Sequence, residues 1–288
     1  MSETLQATDV TATAAATATA TFIAAVSLSD ADLLAETAAA VREAGAALRE
    51  RFGEVVPYDT REELMSALAA NDDTALGILR PRLTGLRPDA GWVEDELDGG
   101  ALPSGEWWVV DPAEGNVNHL HALPEWAVTA TLVRDNQPVL TVVHLPLTGQ
   151  TYTALAGAGA HLDGRPLHVS RTADLGLGVV ATSQARPDED ADVVRRVGSS
   201  ITAMLFDALV VRVAVPATLH LVNVAAGRLD AFWQFAGARA DLLPGALLVA
   251  EAGGRISDAE GRPWTPQSAG FLAAAPGVHA QAVSTLSR

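Results

Sequence analysis

One run, EWWVVDPAEGNVNHLH, from Glu106 to His121, constrains this chain more than any other. The apolar EWWVV reads as a buried strand. It ends on Asp111, Pro112, Ala113 and Glu114, and Gly115 and Asn116 follow. An earlier segment, GWVEDE from Gly91, also reads as a strand, Trp92 and Val93, ending on acids, Glu94 and Asp95. If the two strands are neighbours in one sheet, their carboxylates meet at its edge. Hard oxygen donors in a chain without Cys suit Mg²⁺ or Ca²⁺ better than zinc. Gly115 lets backbone approach a ligand closely. A helix beginning near Asn116 would turn free N–H groups toward an anion. Carboxylate-held cations beside such amides are what phosphoryl transfer needs. Spacing alone also fits a plainer reading. In a chain with 35 acids, acid pairs in loops are more often solvated turns or caps. His119 and His121 are likewise more often packing or hydrogen-bonding residues than ligands.

Composition narrows the function classes. A chain of 288 residues, 49% hydrophobic, can bury a core as one large domain or two closely packed halves. Its formal net charge of −16 repels nucleic acid and anionic membranes, so neither is an expected partner. The lack of Cys excludes disulfides and thiolate nucleophiles. No run reaches the roughly 18 apolar residues that span a bilayer. The Ala/Thr-rich residues 1–28 carry Glu3 and Asp9 and no basic start. They read as a flexible tail rather than a signal peptide, and a cytoplasmic location is expected.

Along the chain, Ser29 or Asp30 caps a predicted helix that Gly53 stops. A second helix is predicted over 74–86, weakened by Pro81. Two strands follow around the turn 135–138, then another pair turning at Asp163-Gly164. After about Ser170 helices and strands alternate. PATLHLVNVAAGRLD reads as a helix, AFWQF as a strand and DLLPGALLVAEAGG as a helix capped by Asp241. GGRISDAEGRPW reads as a terminal hairpin. The mixture suggests layered α+β sheets.

At these residues the sequence resembles the inositol monophosphatase family of Mg²⁺-dependent, lithium-sensitive phosphatases. WVEDE stands for its Glu-Glu pair. DPAEGNVNHLHALP stands for its Asp-Pro-Ile/Leu-Asp-Gly-Thr-x-Asn motif, with Asn118, His121 and Pro124 in place. ADLLPGALLVAEAGG stands for its Trp-Asp and the helix ending Glu-Ala-Gly-Gly. The likeness runs from about residue 30 to the end, through the strand and hairpin pattern between the motifs.

The resemblance implies a layered α-β-α-β-α sandwich, working as a homodimer on a small-molecule phosphate. Residues 29–170 would form an N-terminal half with the metal motifs, and 171–288 a C-terminal half contributing Asp241. Mg²⁺ would occupy two or three sites, with Mn²⁺ or Ca²⁺ as substitutes. Glu94 would bind the first metal and Asp111 would bridge two. The Ala113 carbonyl would face one, and Glu114 and Asp241 would hold the second. Gly115 and Asn116 would offer N–H groups to the phosphate. Asp72, with Asp73 as its alternative, falls near an early acid that steadies a third metal or its water, and Arg61 falls near a Lys. Ala217 and Gln234 lie in the substrate region.

Several positions depart from the family pattern. Glu114 replaces an Asp, and its extra methylene moves the carboxylate by roughly 1.5 Å. Asn116 replaces a Thr, and an amide cannot relay a proton as a hydroxyl can. Asp95 replaces a Glu, Ala240 a Trp, VAVPATLH a Gly-rich stretch, and Gln234 a Glu. The expected activity is metal-assisted hydrolysis of a polyol, sugar or nucleotide phosphate. The alternative is a relative that binds a phosphorylated or acidic metabolite, or catalyses another step, without phosphatase turnover.

Overall fold

The computed structural model describes residues 28–53, 55, 58–94, 100–185, 189–235 and 239–288. All but the last residue of the Ala/Thr-rich stretch, and Asp95, lie outside them.

Ser29 caps α1 (Asp30–Glu50) by accepting from the Asp32 N–H, and Leu33, Val41, Ala44 and Leu48 are buried. α2 (Arg61–Leu86) begins well before the predicted residue 74. A reciprocal cap between Thr60 and Glu63 starts it, and it runs through Pro81, which lies on its exposed face. Its first half buries little before Asn71, so it carries no apolar period to read.

The first sheet holds β1 (Gly91–Trp92), β2 (Glu106–Glu114), β3 (Ala127–Arg134), β4 (Gln137–Leu145), β5 (Gln150–Leu155), β6 (Gly159–Leu162) and β7 (Arg165–Pro166), in that spatial order. β1 runs parallel to β2, so the two acid-ended strands point to the same edge. The short helix α3 (Asn116–Leu120) follows β2 directly. β3 and β4 turn at Asp135-Asn136, both in the left-handed region that a two-residue hairpin requires. The next hairpin turns at 156–158, while Asp163-Gly164 joins β6 to β7 instead.

The second sheet is built from β8 (Val179–Thr182), β9 (Val210–Val213), β10 (Ala231–Phe235), β11 (Arg255–Ser257) and β12 (Gly270–Ala274), ordered β11-β12-β10-β8-β9. Four helices accompany it: α4 (Ala191–Asp207), α5 (Ala217–Ala225), α6 (Arg239–Glu251) and α7 (Pro276–Leu286). The predicted terminal hairpin supplies only β11, whose partner is β12, and α7 follows.

Three apolar layers hold this together. α1 and α2 cover one face of the first sheet through Leu33, Leu48, Leu79, Trp108, Val110 and Leu132. α5 and α6 fill the space between the sheets, against Val143 and Tyr152 on one side and Phe232 and Phe271 on the other. α4 and α7 cover the far face of the second sheet over Trp233 and Leu272. The order is therefore α-β-α-β-α. Period-two alternation in β10 drives it: Trp233 and Phe235 face outward to α4 and α7, Phe232 inward. The inner helices cross closely because residue 245 is glycine. A Cβ there would lie 2.2 Å from Leu221.

Candidate active site

The inner face of β2 carries the site. Val109 packs with Val133, Ala240 and Leu243, which seats the start of α6 against β2. Ala240, where the family pattern has Trp, is fully enclosed there. Val110 and Ala113 face the other way, into the α1–α2 layer. Asp111, opposite Thr129, shares the inner side with Val109. In a regular strand Glu114, three residues on, would point to the opposite face. The pairing instead slips: Asp111 pairs with Thr129 and Glu114 with Ala127, so three steps on β2 match two on β3. This bulge returns Glu114 to the inner side.

Asp111, Glu114 and Asp241 thus converge. Each offers an oxygen, and these atoms lie within 4.8 Å of one another. Asp111 and Glu114 are buried and Asp241 half-buried. Asp241 is the third residue of α6 rather than its cap, and Thr218 on α5 donates its hydroxyl to the Asp241 carbonyl at 2.9 Å. Burial pushes the Asp111 carboxyl up, against a hydrogen bond with Glu114 and one from the Ala113 N–H at 3.0 Å.

Gly115 closes β2 and opens α3 with φ +81°. A Cβ there would meet the Glu125 carbonyl at 2.7 Å and the Pro216 ring at 3.0 Å, so glycine is required twice over. Asn118 stitches the same place. Its Nδ2 donates to the carbonyls of Glu125, at 2.8 Å, and Val215, at 2.9 Å. The segment just before α5 is thereby fastened to α3, and Ala217, buried at the start of α5, lies beside it.

Asp72 reaches the site from α2. Asn116 Nδ2 donates to its Oδ1 at 2.8 Å. Its pKa rises to about 6, through burial first and then the negative field of Asp111. Asp73 is exposed, as is Arg61 in the first turn of α2.

Glu94 stands apart from the three converged acids. Arg80 grips both its oxygens, at 3.0 and 2.5 Å, and the pair is exposed. The guanidinium holds the Glu94 carboxyl below its usual range. Both partners are exposed and screened, so even this two-point pair stabilises the Glu94 position by only about 1 kcal/mol. Gln234 lies on the inner side of β10, where Ser183 donates its hydroxyl to Gln234 Oε1 at 2.6 Å.

His119 does structural work. His119 is wedged edge-on against Trp126, with ring centres 4.7 Å apart, and bonds the Leu48 carbonyl. Burial lowers its pKa. His121 is exposed where α3 ends. Sequence reading passed over Asn71, which touches both His119 and Asn116. Its one signal was adjacency to Asp72.

The chain matches known proteins over this whole frame. The profile described as the Inositol monophosphatase family covers residues 30–288. An inositol-1-monophosphatase of Rhizobium meliloti is 34% identical over 227 residues, covering 77% of this chain and 84% of its own length. A Nus factor SuhB of Pseudomonas aeruginosa is 32% identical over 206 residues, with coverages of 70% and 74%. Among solved structures, an IMPase of Thermotoga maritima gives a TM-score of 0.76 at 26% identity, over 89% of this chain and 97% of that one. SuhB of Mycobacterium tuberculosis gives 0.73 at 27%, over 90% and 97%. With the fold, the motif order and the profile in agreement, the chain belongs to the inositol monophosphatase family of phosphatases.

Proposed function

We propose that the chain is a divalent-cation-dependent phosphomonoesterase of a small polyol, sugar or nucleotide phosphate. The convergence of Asp111, Glu114 and Asp241 carries the reading. Three carboxylates this close cannot all stay ionised unless a cation joins them, and an all-oxygen set suits Mg²⁺, with Mn²⁺ or Ca²⁺ as substitutes. Asp111, Glu114 and Asp241 would hold the ions, with Glu94 joining once released from Arg80. The bound cations supply charge neutralisation at the phosphate and a more acidic water.

The chain's own groups do the rest. The first N–H groups of α3 have no acceptor within the helix, so Gly115 and Asn116 can receive phosphate oxygens. Asp72, ionised above a pH of about 6, accepts a proton from the attacking water. Gln234 and the segment around Ala217 face the alcohol part of the substrate. Solution partners follow the same reading: a small phosphate, no nucleic acid, no membrane, and a second copy of the chain, in the cytoplasm. The open edge of β9 supports the second copy, since Val210 and Val213, with nearby Phe206 and Leu209, are exposed. No helix among the described residues is long and apolar enough to cross a membrane.

The test is phosphate release from a panel of small monophosphates, with and without Mg²⁺. Release that needs the ion and collapses in Asp111→Asn supports the reading. Confirmed metal binding with no release from any substrate removes it. One observation favours binding without hydrolysis: both Asn116 amide hydrogens are already donated, to Asp72 and to the Leu68 carbonyl. Residue 116 therefore cannot pass a proton to Asp72 as a hydroxyl would. Under that second reading, Glu114→Asp combined with Asn116→Thr brings phosphate release to a chain that lacked it.

A further inference from the structure

Asn116 serves the site in one orientation only. Its Nδ2 donates to the Leu68 carbonyl at 3.0 Å and to Asp72 Oδ1 at 2.8 Å, and its Oδ1 accepts from Asn71 Nδ2 at 2.8 Å. Turned over, the amide would aim its oxygen at a carbonyl and a carboxylate, which only accept.

The same direction is reinforced from the end of α1. Asn71 is almost fully buried, and its Oδ1 accepts from Arg51 Nε at 3.0 Å. A guanidinium can only donate, so Asn71 must turn its NH₂ toward Asn116. The same NH₂ donates to His119 Nδ1 at 3.0 Å, while His119 Nε2 donates to the Leu48 carbonyl at 3.0 Å. Leu48 lies in α1 and Arg51 caps its end. Both ends of the network therefore have fixed polarity, and the amides between them have no choice.

We propose that Arg51 is a positioning residue: acting through Asn71, it steadies the Asn116 carboxamide in the direction, NH₂ toward Asp72, that Leu68 and Asp72 also require. The proposal rests on the phosphatase reading of the site. It assigns a role in turnover to an exposed side chain that touches none of the converged acids.

Arg51→Met keeps the apolar stem and removes the donor. It is compared with the unmodified chain and placed again in an Asn116→Thr background. The expected result is a kcat about three- to tenfold lower with KM unchanged, the size of one ordinary hydrogen bond, because Arg51 reaches the site only through Asn71. In the Asn116→Thr background the same change has no effect, because a hydroxyl rotates to suit its partner. Equal losses in both backgrounds, or a loss confined to KM, overturn the proposal.

A second measurement needs no turnover. The ¹⁵N–¹H carboxamide signals of Asn116, assigned by their disappearance in Asn116→Thr, form one slowly exchanging pair in the unmodified chain. In Arg51→Met the pair broadens and exchanges faster, without reversing. A single unchanged pair overturns the proposal, whereas a chain that releases no phosphate removes only the reading of function.

Discussion

Replacing Asp72 with Asn stabilises the metal-free protein while disabling it. Burial and the neighbouring Asp111 raise the Asp72 pKa from 3.8 to about 6. A carboxyl raised in the folded state keeps its proton longer there than in the unfolded chain. Below pH 3.8 both states are protonated and folding carries no penalty. Between 4 and 6 the unfolded chain ionises first, so stability falls as pH rises, and above 6 the penalty is complete. A shift of roughly two units corresponds to at most about 3 kcal/mol, and solvent screening of this half-buried group cuts that to about 1–2 kcal/mol. Asn at 72 never ionises and can still accept from Asn116. The variant's advantage is therefore a fraction of a kcal/mol at pH 4 and about 1–2 kcal/mol at pH 8. For a chain of this size that is a Tm rise of about 2–6 °C. Thermal unfolding in EDTA from pH 4 to 8 reads it, and added Mg²⁺ narrows the gap by offsetting the field of Asp111. An advantage independent of pH, or a variant less stable at pH 8, refutes the reasoning.

Asp111→Asn lowers phosphate release at least about a hundredfold, as loss of a preorganised charge does, read as kcat with saturating Mg²⁺; near-normal turnover places the chemistry elsewhere. Gly115→Ala must hold a left-handed backbone and push against the Glu125 carbonyl. It costs about 1–3 kcal/mol in urea unfolding and weakens phosphate binding with it. Asn118→Ala strands the carbonyls of Glu125 and Val215. It costs about 1–3 kcal/mol, and hydrogen exchange of the amides around Ala217 rises in step; protection left unchanged there disproves the fastening role.

The parts of the fold legible in the sequence are those whose information is local. The helix after Ser29 has its cap and its apolar stripe within one window. The β3–β4 hairpin has Asp135-Asn136 between two apolar runs. The start of α2 is local too, at Thr60 and Glu63, but the turns after it bury so little that no period announces a helix. The wrong turn in the β5–β6 hairpin has a similar cause. Asp163-Gly164 is a true turn sequence, yet Ala156, Gly157 and Ala158 turn the chain sooner, with Glu251 of α6 accepting from the Gly157 N–H. That last contact is invisible to any local reading.

The site divides along the same line. Asp111, Glu114 and Gly115 were legible because one strand and one turn hold them. What makes Asp111 and Glu114 cooperate is a slipped register against β3, and spacing alone places them on opposite faces. Asp241 joins because Val109 packs against Ala240 and Leu243, a fact about two distant segments. Glu94, the other acid read from a strand end, shows how far local reading reaches: the strand is where it was expected, but Arg80, one helix away, has taken the carboxylate. The Asn116 orientation is the extreme case. It is held by Leu68 and Asp72 on one side and, on the other, by Asn71, which Arg51 and His119 hold in turn. Residue type can be read at a glance, but direction is a property of the whole hydrogen-bonded chain, and here that chain is anchored at both ends by groups that cannot reverse their roles.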